Sequence, residues 1–322
     1  MEFGLLLLGK EIQELRELAQ AAEQLGYDSL FLPDHIVYPI RGSYDPHTPS
    51  WDQMVALAIV FEATRRIRAG HLVLCNLLRH PVMTAQSLVT LDHLSAGRLV
   101  AGVGAGWSQV EFKMTGIPFP PVALRLRMLD EALICIRSLW TREQTTFEGE
   151  FYKLKDAILW PKPVQDPHPP ILLGGRGRGL LRIAGKHATV VDVKPNRVVA
   201  DSAKQTSEEA FKEKVQFARD EASKNGRTPD SIQIGNTLFV VELADSAKEA
   251  ESVASSIARS MGVGVQQLLA SPMALIGTPE ECVAELNRRA KEWGVSQFIF
   301  GGDIHFKMME RLANEVIPRV AR

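Results

Sequence analysis

The chain has 322 residues, 45% hydrophobic and 23% charged, with Lys+Arg 37 against Asp+Glu 38 for a net charge of -1. That is an ordinary globular composition, long enough to bury a large core. The charge balance excludes a general affinity for nucleic acid or anionic membrane.

The opening stretch "MEFGLLLLGKE" carries an acid at position 2 and a run of leucines too short for a secretory h-region or a membrane span. Cys75, Cys135 and Cys282 are isolated in apolar-periodic segments, with no CxxC and no metal-ligand spacing. Buried thiols in a reducing compartment are expected, and with them a soluble cytoplasmic protein that holds no metal.

Short apolar runs alternate with longer amphipathic ones. Residues 3–8 form a first strand. A helix follows with Ile12, Leu15, Leu18, Ala22 and Leu25 on one face, ending at Gly26. "SLFLPDH" (29–35) precedes a helix from about 51 to 64. "AGHLVLCN" (69–76) precedes a helix that starts at Pro81, a favoured first-turn residue. "RLVAGVGAG" (98–106) precedes a helix from about 123 to 140.

"TTFEGEFYKL" (145–154) reads as a hairpin turning at Glu148-Gly149, and the proline-rich "PKPVQDPHPP" as an extended surface connection. "ILLGG" (171–175) leads to a helix near 179–186, and "TVVDV" (189–193) to one near 208–225. "IQIGNTLFVV" (232–241) is read as one strand. Residues 245–271 look like a helical insertion. A helix over 279–293 opens with the capping box Thr278-Pro279-Glu280-Glu281. "QFIFGG" (297–302) is the last strand and 306–321 the last helix.

Eight strands, apolar along their length, each with a following helix, fit either a closed parallel barrel or an open doubly wound sheet. A dinucleotide fingerprint belongs to a first βαβ unit and opens a helix directly. Here Gly102-x-Gly104-x-Gly106 lies on the fourth strand, and Pro118, Pro120 and Pro121 delay the helix. The expectation is a TIM (β/α)8 barrel, one domain over 1–322 with insertions near 36–50, 142–170 and 245–277. The strand-4 glycines either relieve crowding or let a flat cofactor lie close.

In such barrels the chemistry sits at the C-terminal strand ends. Those ends are Pro33-Asp34-His35, Cys75-Asn76, Gly104 to Trp107, Gly174 to Gly177, Asp192 to Lys194, Val240-Val241 and Gly301-Gly302. A histidine side chain can titrate near neutral pH, so His35 suits proton transfer, whereas one of Asp34 and His35 alternatively caps or orients the following loop. "GGRGRG" (174–179) combines glycine-freed N–H groups, a helix start and Arg176 and Arg178 into an anion site. His80, His93 and His187 read as structural, and His305 stays open between the two roles.

"RHPVMTAQSLVTLDHLSAGRLVAGVGAGW" (79–107), "GIPFPPVALRLRMLDEALICIRSLWT" (116–141), "FEGEFYKLKDA" (147–157) and "PKPVQDPHPPILLGG" (161–175) resemble the bacterial luciferase-like family. Within it they resemble the deazaflavin-dependent oxidoreductases that use coenzyme F420. The resemblance implies a TIM barrel with insertions, hydride transfer through the deazaflavin C5, and a homodimer. It implies that Asp34 and His35 lie beside the deazaflavin ring as the catalytic pair. It also implies a cis peptide at Leu72–Val73, bulging behind that ring. Cofactor contacts are then expected from Asp34, Leu72, Val73, Cys75, Ala105, Gly106, Gly174, Gly175, Arg176 and Gly177, with Arg176 near its phosphate.

The sequence departs from the family where an acid follows the strand-4 glycines, because Trp107 stands there, and "ATVVDVKP" lacks the Asp-Gly-Trp-Asn of many relatives. Both changes argue against glucose 6-phosphate. Glu111 and Lys194 are candidate contacts for a small-molecule substrate, and loops near 36–50 and 262–277 are candidates to close over it. The alternative is an FMN monooxygenase on the same barrel. A barrel that binds a flavin-like ligand without turnover is a third reading.

Overall fold

The structure is a computed structural model that describes residues 1–37, 39–40, 43–195 and 207–321. Eight parallel strands close into a barrel: β1 (Glu2–Leu6), β2 (Ser29–Leu32), β3 (Arg68–His71), β4 (Leu99–Gly104), β5 (Ile171–Gly175), β6 (Val190–Val193), β7 (Gln233–Leu238) and β8 (Gln297–Phe300). Each pairs with the next in chain order, and β8 returns to β1 with Gly4 beside Ile299. The open-sheet reading is thereby excluded.

The main outer helices are α1 (Ile12–Gln24), α2 (Gln53–Ala63), α3 (Pro81–Leu94), α4 (Gln109–Thr115), α5 (Val122–Thr141), α6 (Arg178–His187) and α7 (Glu208–Lys224). They are followed by α8 (Ala247–Met261), α9 (Val265–Leu269), α10 (Pro279–Trp293) and α11 (Phe306–Arg311). None of the described helices is long and apolar enough to cross a membrane. All three cysteines are buried and free.

Three expectations need correction. The run 232–241 is not one strand. β7 stops at Leu238, and Val240–Leu243 leaves the barrel to pair in parallel with Ala274–Gly277. The turn between them is tied down where the N–H groups of Phe239 and Val240 donate to the Met273 carbonyl. The top of β7 is therefore Leu238-Phe239, not Val240-Val241. For the same reason 262–277 is no loop, since it contains α9 and a strand. Finally, α4 precedes the prolines that delay α5, a helix of seven residues too short to show a clear period. The loop near 36–50 holds a short pairing of Pro39–Ile40 with Ser43–Tyr44, and its residues 38, 41 and 42 lie outside the described residues.

Alternation along the strands divides the core. Outward residues such as Phe3, Leu5, Leu30 and Phe298 pack under the helices in one large cluster. Inward residues Leu6, Phe31, Leu72, Val100, Leu172, Val190 and Ile299 fill the barrel axis. Two residues further up, the same inward rows reach Leu8, Gly102, Gly174, Asp192 and Gly301. The barrel thus ends in a floor of apolar side chains below and a layer above it that carries three glycines with Leu8 and Asp192.

His71, the last residue of β3, is fully buried beneath α2, and its Nε2–H donates to the Gln53 carbonyl at 3.0 Å. Among the described residues its Nδ1 has no hydrogen-bond partner. Burial holds this imidazole down to about 4, against an upward pull from the Gln53 carbonyl. Between about pH 6.5 and that value the unfolded chain binds a proton that the folded one refuses. Stability is therefore expected to drop by up to about 3 kcal/mol as pH falls through this window. Denaturant midpoints measured from pH 7 to pH 4 should lose that slope in His71→Gln; an unchanged slope would assign the effect elsewhere.

Candidate active site

The end of β2 turns sharply, and its two polar residues part. Asp34 points back under the rim, where it is buried. Its Oδ2 accepts from the Cys75 N–H and from Arg79 Nη1, both at 2.8 Å. Arg79 also donates to Asp52 Oδ2 at 3.0 Å, and Asp52 caps α2 by accepting from the N–H groups of Met54 and Val55. Burial raises the Asp52 carboxyl, but the cap and Arg79 outweigh it and hold it below its ordinary range. Asp34 therefore fastens the top of β2 to the chain leaving β3.

His35 points the other way. Its Nδ1 lies 3.1 and 3.2 Å from the two oxygens of Glu111, and the Ile36 N–H donates to Glu111 Oε1 at 2.6 Å. Glu111 is buried on the inner side of α4. Burial pushes its carboxyl up, yet the His35, Ile36 and Ser108 contacts prevail and keep it below the usual value. A carboxylate at Nδ1 makes that nitrogen the donor and leaves Nε2 as the basic one. The Ser50 hydroxyl donates to the His35 carbonyl, and Tyr44 and Ser108 share a hydroxyl contact at 3.1 Å, which ties this loop to the β4 rim. Trp107 stands edge-on to the imidazole, ring centres 5.5 Å apart.

After β3 the peptide Leu72–Val73 is cis, and the chain resumes as a short strand Leu74–Cys75 beside β4. Here the strand-4 glycines find their use. A Cβ on Gly102 would fall on the His71 carbonyl oxygen, and one on Gly104 on the Val73 side chain. Gly106 has φ +74, and its Cβ would approach the Cys75 sulfur to 2.7 Å. The glycines let the bulge of β3 press against β4 and turn Val73 toward the mouth, where it joins Leu8 and Phe239 above the floor. Burial raises the Cys75 thiol to about 11, so it stays protonated.

On the far side, β5 ends in Gly174 and Gly175, and Gly177 starts α6 with no side-chain cap. Space around Gly177 is open, so the first N–H groups of α6 are available to an anion. Arg176 is exposed there, in an extension from β5. Arg178 turns away and stacks on Phe217, 5.1 Å from the ring centre. At the end of β6, Asp192 is wholly buried. Its Oδ1 accepts from the Thr237 N–H (3.1 Å) and hydroxyl (2.8 Å), and its Oδ2 lies 3.3 Å from Lys194 Nζ.

The structure thus brings His35, Val73, Gly106, Gly174 and Lys194 to one rim. It gives Glu111 a partner rather than a direct place in the mouth. His80 caps α3, His93 holds the Lys162 carbonyl, His187 pairs with Asp130, and His305 caps α11. Sequence reading missed Asp192 as a buried charge and His71 as a buried base. Both sit in runs otherwise apolar, and that contrast was the available signal.

Glycines at the strand ends, a bulged third strand and a histidine–carboxylate pair thus stand together at the C-terminal rim of a TIM barrel. Residues 1–271 match the model of the luciferase-like monooxygenase family, and the chain belongs to that family. An uncharacterised protein of Mycobacterium tuberculosis is 36% identical over 171 residues, covering 49% of this chain and 59% of that protein. The chain thus aligns with less than two thirds of that relative's length. An F420-dependent glucose-6-phosphate dehydrogenase of Amycolatopsis mediterranei is 28% identical over 331 residues, 96% of this chain and 94% of that one. An F420-dependent secondary alcohol dehydrogenase, solved with an F420–acetone adduct, superposes with a TM-score of 0.81 at 23% identity over 100% of this chain and 99% of that one. A long-chain alkane monooxygenase reaches the same score at 18% identity, over 100% and 92%.

Proposed function

We propose that this protein is a coenzyme F420-dependent oxidoreductase that exchanges a hydride with a small organic substrate. The observation that carries the reading is the His35–Glu111 pair standing at a barrel mouth whose upper layer is glycine on β4, β5 and β8. That layer fits a planar tricyclic ring, and the uncapped start of α6 with Arg176 fits its phosphate. Val73, Gly106, Gly174 and Gly175 would line the ring, and Gly177 and Arg176 would hold the anion. When bound, the deazaflavin supplies a two-electron hydride centre at C5.

The chain's own residues do the rest. His35 Nε2 takes or returns the proton of the substrate hydroxyl, with Nδ1–H held by Glu111. Asp34, through Cys75 and Arg79, fixes the top of β2 against the bulge, so the imidazole keeps its distance from the ring. The naming of relatives as F420-dependent supports this reading, and the departure at Trp107 separates the substrate from theirs.

Fluorescence titration of the purified protein with deazaflavin and with FMN tests it. Deazaflavin should bind at least about tenfold tighter, and Arg176→Ala should weaken it by roughly tenfold through one lost charge-assisted contact. Tighter FMN binding with NADH-driven oxygen uptake would select the monooxygenase reading. Binding without hydride transfer to any ketone, enone or imine would select a non-catalytic one.

A further inference from the structure

We infer that the start of α5, with Arg125 folded back over it, binds an oxyanion such as a phosphate group, separately from the start of α6. The site goes beyond the oxidoreductase reading and does not rest on it.

α5 runs for 20 residues from Val122, and Pro121 before it offers no capping side chain. No acid stands in its first turn. The Leu124 and Arg125 N–H groups both donate to the Pro121 carbonyl, at 2.9 and 3.1 Å. Those of Val122 and Ala123 have no acceptor among the described residues, and both residues are exposed. Two open donors at the positive end of a long helix favour an anion.

The second observation is a buried cation at the same place. Arg125 is only 9% exposed, and its Nε has no hydrogen-bond partner among the described residues. Burial draws the guanidinium below its ordinary pKa, and what opposes the shift is the Cys75 thiol rather than a carboxylate. Helical side chains lean toward the helix N-terminus, and this one does so, since its Nη1 donates to the Pro120 carbonyl at 2.8 Å. The guanidinium lies on the Phe119 ring, 3.9 Å from its centre, and Phe119 packs on Phe112 at 4.7 Å. The cation is therefore fixed beside the first turn of α5. Arg127, the next arginine, is engaged by Glu150 and Phe151. An arriving oxyanion would supply the counter-charge that Arg125 lacks and accept from the open helix N–H groups. A Cβ on Gly179, in the first turn of α6, would come within 2.6 Å of Leu126, so the two helix starts stand side by side on the rim. The oxyanion is carried by the cofactor or is a separate one, and the chemistry that holds it is the same.

Inorganic phosphate is the probe, followed by calorimetry and thermal melts at constant ionic strength set with potassium chloride. The parent protein is Arg176→Ala, so that uptake at the start of α6 does not intrude. Saturable phosphate uptake is expected, with a Tm that rises as phosphate is added. Arg125→Gln should weaken that uptake at least about tenfold. Ala123→Glu sets a carboxylate against the same N–H groups, in a turn that favours acids. Its Tm without phosphate should hold or rise while phosphate uptake is lost. No uptake by the parent, or uptake indifferent to both substitutions, overturns the inference. So does an Arg125→Gln protein that melts earlier yet keeps the full phosphate response, the mark of a merely structural arginine. Repeating the titration with saturating deazaflavin separates the two sources. Phosphate displaced by the deazaflavin assigns the oxyanion to the cofactor, and phosphate bound alongside it assigns a separate anion.

Discussion

Replacing His35 by alanine is expected to lower kcat by about 10²- to 10⁴-fold while deazaflavin binds within about threefold of normal. In the proposed reaction the side chain provides the proton step, and Val73, Gly106 and Gly174, proposed to line the ring, are left untouched. Glu111→Gln is the sharper test, because Glu111 acts through the histidine. The amide oxygen still accepts from Nδ1–H, but the carboxylate that favours a charged imidazole is gone. Turnover should fall by roughly 10- to 100-fold, and the pH–rate profile should change, because the carboxylate that pairs with the imidazole is gone. The Nδ1–H proton signal should move upfield at the same time. A Glu111→Gln enzyme with unaltered kcat and unaltered pH profile would remove His35–Glu111 from the chemistry. A merely structural role for Glu111 would change stability and leave the profile in place.

The second large effect concerns folding. Gly102→Ala is expected to destabilise the protein by more than about 3 kcal/mol, since its Cβ has nowhere to go but the His71 carbonyl. β3 and β4 would have to separate, and the displaced strand carries the bulge, so deazaflavin binding should fail along with stability. Gly177→Ala is the matched control. Its backbone is extended and nothing lies within 4 Å of a Cβ there, so stability should stay within about 0.5 kcal/mol. Thermal melts of the two variants side by side decide the matter. A Gly102→Ala protein as stable as its control would mean that the strands are not pressed together as described.

These two predictions also mark what was legible in advance. The strand-4 glycines stand out in the sequence, but it left their purpose divided between crowding and cofactor approach. The tertiary structure shows that the crowding comes from a neighbouring strand, 31 residues earlier in the chain, whose bulge the glycines admit. Glu111 was visible as an acid near the site, though not as the partner of a histidine far back in the chain. The short helix that aims it, α4, has too few turns to announce itself. Val240–Leu243 shows the opposite failure. Its apolar run continues β7 without a break, and only its pairing with Ala274–Gly277 takes it out of the barrel.

The sequence by itself determined eight parallel strands, through eight apolar runs each followed by an amphipathic one, while their closure into a barrel is decided by the pairing of β8 with β1. It also determined the helix starts, because caps such as Thr278 with Glu281 are written within four residues. Only the tertiary structure decided which polar groups meet: Asp34 with Cys75 and Arg79, His35 with Glu111, Asp192 with Thr237 and Lys194. The reason is one of range. Burial periodicity and capping are set by residues a few positions apart, whereas a buried charge is satisfied by whatever donor the closing of the barrel carries to it.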